Sequence, residues 1–160
     1  MRAPDGQLAG RRVIMAGHAR FPGFRALAGV RDGQVAGFCY GFHGQSGQWW
    51  HDRVRVGLAA AQGEVTAQAW LADPLEVAEL HVLPDYQGRG IGTALLGTLS
   101  AGRAERTAVL STPNTESPAR RLYRSAGFTD LLTAFRFEGA EPPYAVMGAP
   151  LPLRLPSPSS

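Results

Sequence analysis

Lysine is absent from this chain of 160 residues, and all sixteen basic side chains are arginine. That absence excludes a Walker A phosphate loop, which needs a lysine ahead of its Ser or Thr. Cysteine occurs once, at Cys39, so no intrachain disulfide framework can form. Cys39 stands in an apolar strand pattern and reads as a core thiol, which fits a reducing cytoplasm, the location expected for this protein. No apolar run approaches the ~20 residues of a membrane span, and the N-terminus lacks the apolar core of a signal peptide, so no membrane association is expected. The four histidines, His18, His43, His51 and His81, lack the spacing of a metal site, and no metal is expected. Charge of one sign is also scarce. The net charge is +3, with short basic clusters only at Arg11-Arg12 and at Arg120, Arg121 and Arg124. A nucleic-acid surface carries a denser basic face with interleaved aromatics, so no nucleic-acid partner is expected.

The composition that remains, 44% apolar and 18% charged, suits one globular domain with a sizeable core. Residues 1–10 read as unstructured, and 11–20 as a short helix ahead of a turn at Pro22-Gly23. Two alternating segments, 24–31 and 35–43, form an antiparallel pair across a turn at Asp32-Gly33. A polar loop covers 44–48, and 49–62 reads as a loop followed by a helix. A strand at 77–83, a helix at 91–105, a strand at 107–112, a helix at 117–126 and strands near 129–138 and 144–148 follow. The divisions expected are a short N-terminal segment over 1–23, a domain over 24–148, and a Pro- and Ser-rich tail over 149–160, extended or disordered.

The segment from Val77 to Gly92 carries the strongest signal. Ala78, Leu80 and Val82 alternate as in a strand. Gly88, Gly90 and Gly92 then crowd a short loop, after which Ile91, Leu95, Leu96 and Leu99 recur at helical spacing. Glycines at a helix start let the backbone approach a ligand closely. The free N–H groups of the first turn, at the positive end of the helix dipole, then form an anion seat that suits a phosphate or pyrophosphate. The glycine spacing differs from the dinucleotide fingerprint G-x-G-x-x-G. A second pattern runs from Ser117 to Phe128. Ser117 is a good N-cap, Pro118 a good first helical residue, and Gly127 suits the left-handed position past the helix end.

Together these segments resemble motifs A and B of the GNAT (GCN5-related N-acetyltransferase) superfamily. Gln87, Gly90 and Gly92 meet Q/R-x-x-G-x-G/A after a strand ending in Val82 and Pro84. Ala119, Leu122, Tyr123, Gly127 and Phe128 meet A-x-x-L-Y-x-x-x-G-F. The resemblance spans roughly 24–148 and is strongest over 77–128. It implies an α/β (α+β) fold with a mixed, mostly antiparallel central sheet flanked by helices. GNAT domains usually open with a strand and one or two helices that form a wall of the acceptor pocket. Only 23 residues precede Phe24. The first strand and helix are therefore expected to be shortened or missing, with 44–73 replacing part of that wall.

The resemblance further implies an acetyl-CoA-dependent N-acetyltransferase acting on a primary amine, with a small-molecule or peptide acceptor left open. Acetyl-CoA would be the co-substrate, held by Leu80, His81, Val82, Gln87, Gly88, Arg89, Gly90, Ile91, Gly92 and Thr93. In the family the strand before motif A splays from its neighbour, so the N–H groups of Leu80 and Val82 would pair with pantetheine and the acetyl oxygen. The family often carries an Asn at the position of Glu116 to contact the pantetheine arm. Here Asn114 stands nearby as its substitute. Tyr123 would protonate the departing thiolate. Glu79 is the first choice for the amine's proton acceptor, Glu76 the second, and ordered water the third. Regular alternation puts the two carboxylates on opposite strand faces, and a bulge at the splay would change that parity. His81 reads either as a proton relay or as a structural histidine. Trp49-Trp50 reads as packing or as an aromatic wall around the acceptor. Homodimers are common in the family. A domain that binds acyl-CoA without turnover, as a sensor or partner module, is the alternative.

Overall fold

A computed structural model describes residues 13–137 and 143–156; the expectations for residues 1–12, 138 and 157–160 fall outside the described residues. Helix α1 is described over 13–18 and leads into a β-hairpin, β1 (Arg25–Arg31) and β2 (Gln34–His43). Two helices follow, α2 (Trp49–Gln62) and α3 (Glu64–Leu71), and then β3 (Pro74–Val82). A 3-10 turn at Pro84–Tyr86 joins β3 to α4 (Ile91–Ser100), followed by β4 (Thr107–Pro113), α5 (Pro118–Ser125), β5 (Thr129–Phe135) and β6 (Tyr144–Pro150). The strands form one sheet in the order β1-β2-β3-β4-β6-β5. Every neighbouring pair is antiparallel except β3 and β4. Among the described residues no strand precedes β1.

Each sheet face has its own apolar layer. On one side, Ile91, Leu95, Leu96 and Leu99 of α4 pack with Tyr123 and Ala126 against Cys39, Leu75, Val77, Leu110 and Met147. The helical spacing read from α4 is thus the spacing of its buried stripe. On the other side, Val54 and Leu58 of α2 and Ala67 and Leu71 of α3 cover Val109, Leu131 and Val146.

Three elements differ from the sequence reading. Helix α2 begins at Trp49 itself, directly after the 44–48 loop, and Gly63, at φ +94°, turns the chain straight into α3. Helix α3 buries only Ala67 and Leu71, so it carries little periodic signal. Helix α4 stops at Ser100, five residues before the expected end, where the Ser100 hydroxyl donates back to the carbonyl of Leu96 at 2.9 Å. The carbonyls of Thr98, Leu99 and Ala101 accept from Arg25 Nη1 at 3.2, 3.0 and 2.9 Å, closing the helix end from across the sheet. Beyond β6, residues 151–156 are irregular in backbone, yet Leu151 and Leu153 pack on the α4 layer.

Two irregularities of β3 open and orient the functional cleft. The strand pairs with β4 only from Pro74↔Thr107 to Glu76↔Val109, and beyond that point the two strands part. Its pairing with β2 passes from Tyr40↔Glu79 to Gly41↔Val77, leaving Ala78 as an extra residue. This is a β-bulge, which reverses the alternation that precedes it.

Candidate active site

The gap where β3 leaves β4 opens into a cleft of about 600 Å³ between the end of β3, the start of α4 and one side of α5. Its floor is Leu80, His81 and Val82, and its upper edge is Gln87, Gly88, Gly90, Ile91, Gly92 and Thr93. Gly90 is the N-cap of α4 in the left-handed region at φ +82°, and no side chain caps the helix. The amides of Ile91, Gly92 and Thr93 therefore face the cleft without a side-chain partner, as an anion seat requires. Gly92 packs close against α5: a Cβ there would lie 2.8 Å from Leu122 Cδ2, so that side chain would have to move. The Gln87 amide donates to Val82 O at 3.1 Å and pins the loop to the strand.

Strand geometry orients the backbone in the gap. Leu83 N–H donates to Ala36 O at 2.8 Å, toward β2. Alternate amides point to opposite strand edges, so those of Leu80 and Val82 turn toward the gap.

The bulge at Ala78 puts Glu76 and Glu79 on the same face, the one opposite α4. Leu75, Val77, Leu80 and Val82 take the α4 side, while Glu76, Glu79 and His81 stand opposite Phe42, Tyr40 and Phe38 of β2. The two carboxylates sit in different surroundings. Glu76 is 4% exposed, its Oε1 has no hydrogen-bond partner, and burial pushes its pKa up to about 8. Glu79 is partly exposed and bonds through Oε2 to Nε2 of His81, which also lines the cleft.

Helix α5 is built as its ends suggest. Ser117 Oγ accepts from Arg120 N at 3.2 Å, and Gly127 at φ +96° lets Phe128 N donate back to Tyr123 O at 3.0 Å. One side of α5 lines the cleft with Ser117, Ala119, Arg121, Leu122 and Ser125. Tyr123 lies on the other side, 6% exposed in the α4 layer, its ring 5.8 Å from Phe128. Burial, and then the charge of Glu79, push the Tyr123 hydroxyl up to about 12, so it keeps its proton at neutral pH.

Nine of the eleven residues expected to hold the co-substrate line the cleft; Arg89 and Asn114 do not. Arg89 lies 5.4 Å over the Tyr86 ring. Asn114 Oδ1 accepts from Nη1 of the buried Arg120 at 2.7 Å, in a partly exposed network in which Arg120 Nη2 also meets both oxygens of Asp130 at 2.8 and 2.9 Å. The wall made by α5, with Arg121 its only cation, was not anticipated beside Tyr123. Its signal is the helical spacing of Pro118, Leu122 and Ser125, opposite the tyrosine. Trp49 packs 5.4 Å from Phe137, and Trp50 Nε1 donates to Ser111 Oγ at 3.0 Å. Cys39 is buried in the core, its thiol pushed up to about 11 by burial. No cluster of metal-ligating side chains occurs among the described residues, and none of their helices is long and apolar enough to cross a membrane.

Residues 25–130 match the family described as the acetyltransferase (GNAT) domain. A GCN5-like protein acetyltransferase of Mycobacterium tuberculosis is 36% identical over 179 residues, covering 96% of this chain and 87% of that protein. Among solved structures, a ribosomal-protein-alanine N-acetyltransferase from Brucella melitensis superposes with a TM-score of 0.59 at 20% identity, covering 90% of this chain and 78% of that one. A phosphinothricin acetyltransferase from Sinorhizobium meliloti, in complex with acetyl-CoA, gives a TM-score of 0.56 at 17% identity, covering 92% and 70%. The chain belongs to the GNAT family and is an acetyltransferase.

Proposed function

We propose that this acetyltransferase moves the acetyl group of acetyl-CoA to a primary amine. The observation that carries this reading is the parting of β3 from β4 beside the uncapped start of α4, which joins an anion seat to outward-facing amides in one cleft. The pyrophosphate fits the 88–93 backbone, with Arg121 adding positive charge on the facing wall. The amides of Leu80 and Val82 would pair with the pantetheine arm and donate to the thioester oxygen as it gains charge.

In the reaction the amine nitrogen attacks the thioester carbon, a C–N bond forms and the C–S bond breaks. The ammonium proton must first leave. Glu76 supports that role, because a partnerless carboxylate held near 8 is matched to an amine near neutral pH. Glu79, bonded to His81 at the cleft edge, is the second candidate. Tyr123, buried on the side of α5 away from the cleft lining, is the candidate to give its proton to the departing thiolate, and the proton taken from the amine would restore it by way of solvent.

The test follows thiol release from acetyl-CoA across a panel of amines. The mycobacterial relative's name places protein amines in that panel beside small molecules. The wild type is expected to release thiol with at least one amine. Tyr123→Phe should keep its affinity for CoA while kcat falls by roughly 10²–10⁴-fold, the usual range for general acid help. Full activity in that variant would make Tyr123 a packing residue. Binding of CoA with no thiol release on any amine would favour a CoA-binding module.

A further inference from the structure

Helix α5 carries three arginines, and their partners set them apart. Arg120 is buried and gives Nη2 to both oxygens of Asp130 at 2.8 and 2.9 Å. Arg124 donates to Glu116 Oε1 at 2.8 Å. Arg121 is exposed, lines the cleft and makes no ion pair among the described residues. Glu116 feels Arg121 at longer range, but its bond is to Arg124. Among the described residues that line the cleft, none is an aspartate or glutamate. The Arg121 guanidinium therefore faces the cleft with its donors uncommitted.

Its place on the wall is set by Leu122. That side chain fills the contact between α5 and the first turn of α4, where a Cβ on Gly92 would lie 2.8 Å from Leu122 Cδ2. One residue back along a helix is a turn of about 100°, which carries Arg121 away from this contact and out to the exposed rim. Ser125, one turn further on, already donates its proton to Leu122 O at 2.7 Å.

Coenzyme A brings two kinds of phosphate to such a cleft. Its diphosphate suits the free amides at the start of α4 and the partial charge of roughly +0.5 at that helix end. The 3′-phosphate on its ribose is a monoester, with a charge of roughly −1.5 to −2 at pH 7 and three strong acceptor oxygens. A guanidinium matches that group in charge and can donate to it through two parallel N–H bonds.

Resting on the acetyl-CoA reading above, we propose that Arg121 binds the 3′-phosphate of the co-substrate and makes the enzyme choose acetyl-CoA over its dephospho form. The two ends of the phosphate array are then held differently. Backbone amides of α4 hold the diphosphate, and one side chain on the facing wall holds the monoester. Because Arg121 is exposed, salt screens its contact, and the preference weakens as ionic strength rises.

The experiment titrates CoA and 3′-dephospho-CoA by calorimetry into wild type, Arg121→Gln and Arg121→Lys, each at low and at high salt. Wild type is expected to bind CoA about tenfold more tightly than dephospho-CoA at low salt, as for a bond between charged groups, and less so at high salt. Arg121→Gln should weaken CoA about tenfold and leave dephospho-CoA unchanged, so that the preference disappears. Arg121→Lys should keep part of the preference, since the charge stays and the planar fork is lost. A side chain that merely supported α5 would weaken both ligands alike. That result, or equal binding of the two ligands by wild type, would overturn the proposal and leave the acetyl-CoA reading standing. Binding of neither ligand by folded wild type would overturn that reading and this proposal with it.

Discussion

Burial leaves one oxygen of Glu76 without a partner and raises its pKa from 4.5 to about 8. The folded protein thus keeps a proton that the unfolded chain releases. By linkage, Glu76 favours the fold fully below the unfolded value, and that contribution is lost as pH rises from 4.5 toward 8. Glu76→Gln should flatten this part of the stability curve and make the variant more stable than wild type at its upper end. Urea unfolding of both proteins at the two ends of that window checks it; an equal slope in both would show that Glu76 is not held neutral. Some of this was legible in the sequence. The glycine loop and Tyr123 lie in short local patterns, and residue order alone exposes them. The shared face of Glu76 and Glu79 was not legible, since it depends on a bulge at Ala78 that arises only when β3 pairs with β2. Asn114 shows the same limit: its neighbour in sequence is a loop, but its partner in space is the buried Arg120.

At the level of elements, helices with a strong apolar stripe were readable and those stabilised from a distance were not. Helix α4 declared itself through Ile91, Leu95, Leu96 and Leu99, but its end is set by Arg25 on β1, which lies 73 residues from the first of the carbonyls it binds. Arg25→Ala removes that closure. A cation at a partly buried helix C-terminus contributes up to ~2 kcal/mol, so a loss of about 1–2 kcal/mol is expected. The co-substrate seat proposed above is at the opposite end of α4, so CoA affinity should hold. Denaturant midpoints and CoA titration on one preparation test both parts; a large loss of CoA affinity would contradict this separation. Helix α3 was missed for a related reason: with only Ala67 and Leu71 buried, its position comes from packing under β4 and β6.

For the whole molecule, two apolar layers hold the sheet, and the candidate site lies where β3 and β4 part. The helices α2 and α3, which cover the sheet face opposite α4, come from the stretch between β2 and β3. The central claim is that acetyl-CoA lies in this cleft with its pyrophosphate on the start of α4. Gly90→Val tests it most directly. A Cβ at Gly90 meets no atom within 4 Å, so the fold has room for the side chain, although φ +82° adds strain of about 1–3 kcal/mol. The valine would stand over the amides that the phosphates need. Calorimetric titration of CoA into wild type and a variant shown to be folded should give a dissociation constant about tenfold weaker or more for the variant. Equal affinities in the two folded proteins would contradict the account.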